Sequence, residues 1–235
     1  MNTHRKTAII VGVLFIIGTV AGALSAAISG STLNAPDYLI IFSANENQVI
    51  IGALLVLIMG FALAMVPVVL FPILKKQNEA LALGSVVFRG ALEAVTYIAI
   101  VIISLSLLKL SQEYIHAGAP DDSYFQTLGT LLQGTSHWIE QILDVVFSLG
   151  ALMIYYLFYQ SKLIPRWLSV WGLIGATLLL AAGLLAAFGF DPLSPILVIL
   201  NLPNAVMEMV LAIWLIVKGF NSYTIASGSV KTDIN

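Results

Sequence analysis

Six long apolar segments constrain this chain more than any other feature of its sequence. They cover residues 7–29, 48–74, 80–108, 136–159, 166–188 and 195–219. A helix needs about 20 mostly apolar residues to cross the hydrocarbon core of a bilayer, and every segment is long enough. Within lipid the backbone N–H and C=O groups must be satisfied internally, which favours helices over isolated strands. The sequence therefore predicts an all-α, polytopic membrane protein with six transmembrane helices.

The composition agrees with this prediction and excludes several functions. Of the 235 residues, 60% are hydrophobic and only 9% are charged, whereas soluble domains carry roughly 25% charged residues. Membrane lipids are therefore predicted partners. The formal net charge of -2 and the lack of a basic patch interleaved with aromatic residues in the sequence argue against nucleic acid as a partner. Because the chain has no cysteine, disulfides, thiolate metal sites and cysteine nucleophiles are excluded.

Basic residues divide unevenly between the two sets of loops. Eight lie in the N-terminal segment, the second and fourth connections and the C-terminal tail, whereas only Lys109 lies in the opposite loops. Cytoplasmic loops of membrane proteins carry an excess of lysine and arginine. The sequence therefore predicts a multi-pass protein of the cell membrane with both termini cytoplasmic. A transmembrane domain is predicted over residues 1–220 and a polar cytoplasmic tail over 221–235.

The longest connection and the aromatic residues complete the predicted outline. Residues 109–135 are predicted to lie outside the membrane, either as a simple connector or as a short surface helix. Tyrosine and tryptophan favour the headgroup level. On that basis, aromatic residues near the span ends are predicted to be membrane anchors rather than a ligand cage. These residues are Trp138, Tyr155, Tyr156, Tyr159 and Trp167.

Charged residues inside the predicted spans indicate a functional site. They are Arg89, Glu93, Glu140, Asp144 and Glu208. Each charge near the bilayer centre costs about 2.5–3.5 kcal/mol on insertion scales, so such residues normally face a bundle interior. At about 1.5 Å of rise per residue, Glu93, Asp144 and Glu208 reach a similar depth, and Arg89 lies one turn from Glu93. We expect one inward-facing polar zone.

Helical spacing places further polar residues on the same faces. The fourth and sixth spans each carry three polar residues at positions i, i+3 and i+7, which lie on one stripe of a helix. The first stripe is His137, Glu140 and Asp144, and the second is Asn201, Asn204 and Glu208. The two stripes are predicted to line one cavity that opens outward.

The charges of this zone do not balance. Arg89 neutralises only one carboxylate, and burying the remaining charge without compensation is not tenable. Either some carboxyl groups carry protons, as burial favours, or a cation binds there. The candidates for binding a ligand or carrying protons are Arg89, Glu93, Asp144, Asn204 and Glu208.

Some of these charged residues could instead bind a metal ion. "HWIE" has the order H-x-x-E, which inverts the E-x-x-H of di-iron sites in helix bundles. The candidate ligands for a bound cation or metal are His137, Glu140, Asp144 and Glu208. No cofactor motif is evident, and neither a nucleotide fingerprint nor a zinc-binding HExxH is present.

Two stretches carry a family resemblance. With "FRGALEAV" and "NLPNAVMEMVLAIWLIVKGF", the chain resembles the bacterial membrane family catalogued as domain of unknown function 4386, over almost all of residues 5–222. The most specific parts are Arg89-x-x-x-Glu93 and the closing run of Pro203, Glu208, Trp214 and Lys218-Gly219-Phe220. The resemblance implies the six-span fold and the membrane location, and it transfers no catalytic residue.

Three functions are compatible with this pattern. The first is binding or transport of an unidentified small solute, coupled to protons or another cation at a carboxylate site near the membrane midplane. Arg89-x-x-x-Glu93 and Asn204-x-x-x-Glu208 lie on spans of opposite direction, as in an inverted repeat, and transporters commonly bind between such repeats. The second is an intramembrane enzyme that acts on a lipid-like substrate, either with or without a bound metal. The third is a non-catalytic membrane component whose polar core holds the helices together.

Overall fold

Helices account for nearly all of the chain that the computed structural model describes, which is residues 3–33, 37–118, 122–192 and 194–221. These ranges contain no strand. The helices are α1 (Thr3–Leu33), α2 (Tyr38–Ala44), α3 (Glu46–Leu74), α4 (Glu79–His116), α5 (Asp122–Ser161), α6 (Arg166–Ala187) and α7 (Pro195–Val217). All except α2 are long and apolar enough to cross a membrane. The predicted all-α fold with six spans is confirmed, and the predicted tail lies outside the described residues beyond Asn221.

The six long helices form a closed ring. Each packs against the next one along the chain, and α7 returns to pack against α1. Small residues bring neighbouring backbones close together, as is common between membrane helices. A Cβ atom added at Gly12 of α1, for example, would lie 2.7 Å from the carbonyl oxygen of Ala212 on α7. The interior of this ring is where the inward-facing side chains meet.

Arg5 closes the ring at one end. Its Nη1 donates to the carbonyl oxygen of Leu215 at 3.1 Å, and its Nη2 donates to those of Ile216 at 2.6 Å and Val217 at 3.1 Å. The last carbonyls of a helix lack partners within it, and a cation there complements the helix dipole. Both ends of the described chain therefore lie at the same end of the bundle, which we call the basic end. Its cytoplasmic location stays a prediction.

The connection predicted over residues 109–135 is wrong in its length. The helix α4 continues to His116, and α5 begins at Asp122. With 40 residues, α5 is about 60 Å long, twice the hydrocarbon thickness of about 30 Å. Its polar first part is stabilised by packing rather than by lipid, because Tyr38 of α2 lies against Gly129 and the rings of Tyr114 and Phe125 meet edge-on at 5.5 Å.

The apolar side chains form an interior core and a lipid-facing exterior. Between the helices, the core includes Phe15, Leu70, Phe147, Phe158 and Leu211. Large aliphatic residues also stand on the outer surface; they include Val95, Ile102, Ile199 and Val217. A water-soluble protein seldom exposes so large an apolar surface. The chain is a multi-pass membrane protein.

Candidate functional site

Arg89 lies at the centre of a π-helical segment of α4, Val86–Leu92. Such segments are rare and frequently occur at functional sites. The neighbouring helix approaches this segment almost at backbone contact. A Cβ atom added at Gly150 of α5 would lie 2.6 Å from the Cβ of Arg89 and 2.7 Å from its backbone nitrogen. Gly150 therefore lets α5 pack directly against the π-helical segment.

Arg89 joins two carboxylates inside the ring. Its Nη2 lies 2.6 Å from Oε1 of Glu208 on α7, and its Nη1 lies 3.6 Å from Oε2 of Glu93 on α4. The first distance is that of a short, charge-assisted hydrogen bond, whereas the second exceeds hydrogen-bonding range. Arg89 is 1% exposed, Glu93 0% and Glu208 8%. We call these three residues the buried triad.

Aromatic side chains enclose the triad. The ring centroid of Phe147 lies 3.8 Å from Cζ of Arg89, and that of Phe15 lies 5.8 Å from the same atom. Aromatic faces attract a cation, more strongly where water is absent. The Tyr155 hydroxyl also points to Oε1 of Glu208, at 3.5 Å. The site is therefore shielded from bulk solvent, and charge interactions inside it are stronger than in water.

Several polar atoms at the site lack hydrogen-bond partners among the described residues. They include Nη1 of Arg89, both carboxyl oxygens of Glu93 and Oδ1 of Asn204. Asn204 is buried on α7, one turn before Glu208, where Gly175 of α6 allows close approach. Buried polar groups are normally paired. The site thus combines one cation for two carboxylates with unused hydrogen-bonding capacity.

The structure brings together only part of the predicted polar zone. Asp144 faces α6, where a Cβ atom added at Gly183 would lie 2.7 Å from the Cβ of Asp144. Within the described part of the chain, Asp144 forms no ion pair or hydrogen bond with the triad. Glu93 and Glu208 thus meet at Arg89, whereas Asp144 packs against α6 without contacting the triad. Depth along a helix does not fix the direction of a side chain.

The candidate metal ligands are dispersed. Nδ1 of His137 lies 3.7 Å from Oε2 of Glu140, and both side chains are more than half exposed. Glu208 instead contacts Arg89. The described ranges contain no group of three or more histidine, aspartate and glutamate side chains arranged to hold a metal ion. Among the described residues, the geometry therefore groups carboxylates with the guanidinium of Arg89.

A cavity of about 330 Å³ lies between α1, α3, α4 and α5, towards the end opposite the basic end. Its wall is mostly apolar and carries a few polar side chains; these are Ser25, Ser29, Ser104, Gln133, Ser136 and Glu140. Of the two predicted polar stripes, only Glu140 lines this cavity. Along α4, Glu93, Tyr97 and Val101 follow at intervals of four residues, and Val101 lines the cavity. Its floor therefore lies about 12 Å from Glu93 along the helix axis.

Sequence reasoning missed Tyr155. It was expected among the membrane anchors, but it is 1% exposed and contacts Glu208 inside the ring. Trp138, Tyr156, Tyr159 and Trp167 are exposed, as anchors require. One signal in the sequence favoured an inward position for Tyr155. Tyr155 lies 11 positions, or about three helical turns, after Asp144, so both residues lie on the same stripe of α5.

Comparisons with known proteins identify the family of the chain. No curated protein and no solved structure matches it. A family model described as Domain of unknown function (DUF4386) matches residues 10–219, a range that includes the whole buried triad. Because this match covers most of the sequence, the chain belongs to the DUF4386 family.

Proposed function

We propose that the protein binds a small solute and carries it across the membrane, coupled to a proton held at Glu93. One observation carries this proposal: a single guanidinium serves two buried carboxylates and lies much closer to one of them. Arg89 is 2.6 Å from Glu208 but 3.6 Å from Glu93. Arg89 and Glu208 form the fixed ion pair, and Glu93 is the residue that gains and loses a proton.

The charge of the triad supports this assignment. With both carboxylates ionised the triad carries a net negative charge in a buried site, which is costly unless it is compensated. A proton on Glu93 brings the triad to neutrality. Glu208 accepts from Arg89 and Tyr155, whereas no donor among the described residues reaches either oxygen of Glu93. Ionised Glu93 therefore has less stabilisation than ionised Glu208.

The same geometry couples the proton to helix arrangement. The guanidinium has five N–H donors in a planar fork and can serve two carboxylates. When Glu93 loses its proton, the guanidinium of Arg89 is attracted to the Glu93 carboxylate on its own helix, α4. It is thereby drawn away from Glu208 on α7. The π-helical segment of α4 supplies the irregular backbone at which such a shift is absorbed. Protonation of one residue thus biases the contact between two helices.

The cavity of about 330 Å³ is the proposed solute site. Its size and its mostly apolar wall with a few polar groups are typical of small-molecule sites. Tyr97 lies between Val101 at its floor and Glu93, so a bound solute lies one helical turn above Tyr97. In this proposal the basic end faces the cytoplasm of the cell, as the asymmetry of basic loop residues favours, and the cavity faces outward.

Infrared difference spectroscopy tests the proton on Glu93. We expect the purified protein to show a protonated-carboxyl band that changes with pH and is lost in Glu93→Gln. The matched control is Glu113→Gln, because Glu113 is an exposed carboxylate of the same helix, 2.6 Å from Lys109. Identical spectra for wild type and Glu93→Gln across the pH range would show that Glu93 carries no exchangeable proton.

Thiol labelling tests transport itself. The chain has no cysteine, so a thiol introduced by Ser148→Cys is its only one. Ser148 is fully buried on α5, beside Phe147. We expect membrane-impermeant maleimide to reach this position from either face of oriented vesicles, with a preference that changes with pH. The pH effect should vanish when Glu93→Gln is added.

A second position makes the labelling result specific. Thr130 is exposed in the first part of α5 and does not line the cavity, so Thr130→Cys should react from the end opposite the basic end alone at every pH. If the thiol of Ser148→Cys never reacts from the basic end, the triad is a structural core or a one-sided site, and the transport proposal fails.

A further inference from the structure

A second pocket, of about 580 Å³, lies at the basic end of the bundle. The connection 162–165, the start of α6 and the end of α7 form its wall. Three cations line it, Lys162, Arg166 and Lys218, and none of the described residues lining it is acidic. Like charges around one pocket repel each other, and a bound anion would remove that repulsion.

Aromatic side chains border this basic pocket, and exposed apolar side chains continue from them along α6. Trp214 lines it, and the ring of Trp167 meets Trp214 edge-on at 6.4 Å. Tryptophan favours the headgroup level of a membrane. Beyond Trp167, Val170 and Ile174 continue the same exposed stripe along α6. An anion bound in the pocket and an alkyl chain lying on this stripe are therefore compatible with one ligand.

The pocket is built by the folded chain rather than by loose side chains. The backbone N–H of Asn221 donates to the carbonyl oxygen of Leu163 at 2.8 Å. Phe220 packs against Phe158 with ring centroids 6.2 Å apart. The guanidinium of Arg166 lies 5.3 Å from the ring centroid of Tyr159. These contacts join α5, α6 and the segment after α7, so the backbone that carries the three cations is fixed around the pocket.

Lys162 adds an independent observation. It directly follows α5 and has a φ of 54°, in the left-handed region. Residues with a Cβ atom are disfavoured there, and the position after a helix end is usually glycine. The sequence thus has lysine where glycine would avoid strain, at a position that lines the basic pocket.

We propose that the basic pocket binds the phosphate headgroup of an anionic phospholipid. The phosphate oxygens accept charge-assisted hydrogen bonds from Lys162, Arg166 and Lys218, and an acyl chain lies along the exposed stripe of α6. Basic pockets between membrane helices are suited to such headgroups. The apolar stripe is what favours a lipid over free phosphate. This inference is independent of the proposed transport.

Tryptophan quenching by a brominated lipid tests the site. The chain has four tryptophans, and Trp138→Phe leaves only the three at the basic end. We expect low mole fractions of brominated phosphatidylglycerol, but not brominated phosphatidylcholine, to quench their fluorescence in detergent solution. The combined variant Lys162→Gln, Arg166→Gln and Lys218→Gln should weaken this effect by roughly tenfold or more, since each cation contributes to anion binding.

Two controls decide between the pocket and a general charge effect. The variant Lys6→Gln, Lys75→Gln and Lys76→Gln removes the same charge from exposed positions of the same end that do not line the pocket. It should bind like wild type, and equal weakening in the two triple variants would overturn the proposal. Displacement of the lipid by inorganic phosphate at equal concentration would also overturn it, because the ligand would then be a free anion.

A single substitution separates binding from folding. Lys162→Gly removes one cation and relieves the left-handed strain at once. We expect unchanged or higher thermal stability together with weaker quenching by phosphatidylglycerol. Quenching equal to that of wild type in a stable Lys162→Gly protein would show that Lys162 is not part of the site.

Discussion

Replacing Arg89 with methionine is expected to lower the free energy of unfolding by about 3–5 kcal/mol, the typical cost of removing one partner of a buried ion pair. The substitution leaves Glu93 and Glu208 close together inside the ring without a counter-ion. Methionine is flexible and fills irregular apolar space, so the lost charge dominates the effect. Thermal unfolding in detergent and the monodisperse fraction on size-exclusion chromatography measure it.

A second-site change keeps this prediction testable if the variant folds poorly. Adding Glu208→Gln to Arg89→Met removes the carboxylate that Arg89 contacts most closely, at 2.6 Å. We expect the double variant to recover much of the lost stability, because the coupling between contacting residues appears as non-additivity. The control is Lys109→Met, which breaks the exposed pair with Glu113 and should change stability little. An Arg89→Met protein as stable as wild type would refute the charge argument for the triad.

Arg89→Lys tests whether the site requires one cation to interact with both Glu93 and Glu208. Lysine keeps the charge, but its ammonium lacks the planar fork that serves two carboxylates at once. We expect the protein to fold, because a cation remains in the ring. If Arg89 couples Glu93 to Glu208 as proposed, the pH-dependent carboxyl band of this variant should differ from that of wild type.

Much of the fold follows from the sequence because lipid imposes a length on apolar segments. The six spans are confirmed for that reason. Hydropathy reports which residues lie in hydrocarbon, however, and not where a helix ends. The helix α5 begins at Asp122, well before the predicted start at 136, since its polar first part packs against Tyr38 of α2. Tertiary packing therefore determines where α5 begins, and hydropathy carries no information about packing.

The sequence indicated which residues belong to the candidate site better than it indicated how they are arranged. Arg89, Glu93 and Glu208 stand out because charges are rare in spans and costly there. Their spacing shows which residues of one helix share a face, but it does not fix the rotation of one helix relative to another. For that reason the sequence did not predict that Glu208 takes the short contact with Arg89, or that Asp144 faces α6.

The π-helical segment explains a further part of this limit. Periodicity arguments assume 3.6 residues per turn, and Val86–Leu92 departs from that repeat at the very place where Arg89 lies. The faces of α4 before and after the segment are therefore rotated relative to a regular helix. No residue type in "VVFRGAL" marks such a segment, and the close approach of Gly150 is visible only once two helices are placed together.

Gly150→Ala is expected to destabilise the protein although alanine favours helices. Alanine stabilises a helix interior by about 1 kcal/mol relative to glycine. At Gly150 the added methyl group would lie 2.7 Å from the backbone nitrogen of Arg89 and 3.1 Å from its Cα. Backbone atoms have little freedom to move, so α5 must shift away from α4. Overpacking of this kind costs about 1–3 kcal/mol, and we expect a net loss of thermal stability.

Gly134→Ala is the matched control, because it makes the same chemical change in the same helix. A Cβ atom added at Gly134 meets nothing within 4 Å, so this variant should be as stable as wild type or more stable. Both substitutions raise helix propensity, but only Gly150→Ala creates a steric contact with another helix. The difference in stability between the two variants therefore reports the packing effect. Since the displaced atoms belong to Arg89, Gly150→Ala should also alter the pH-dependent carboxyl band, whereas Gly134→Ala should not. Equal stability and equal spectra in the two variants would mean that the approach of α5 does not position Arg89. The triad would then owe its geometry to α4 and α7 alone.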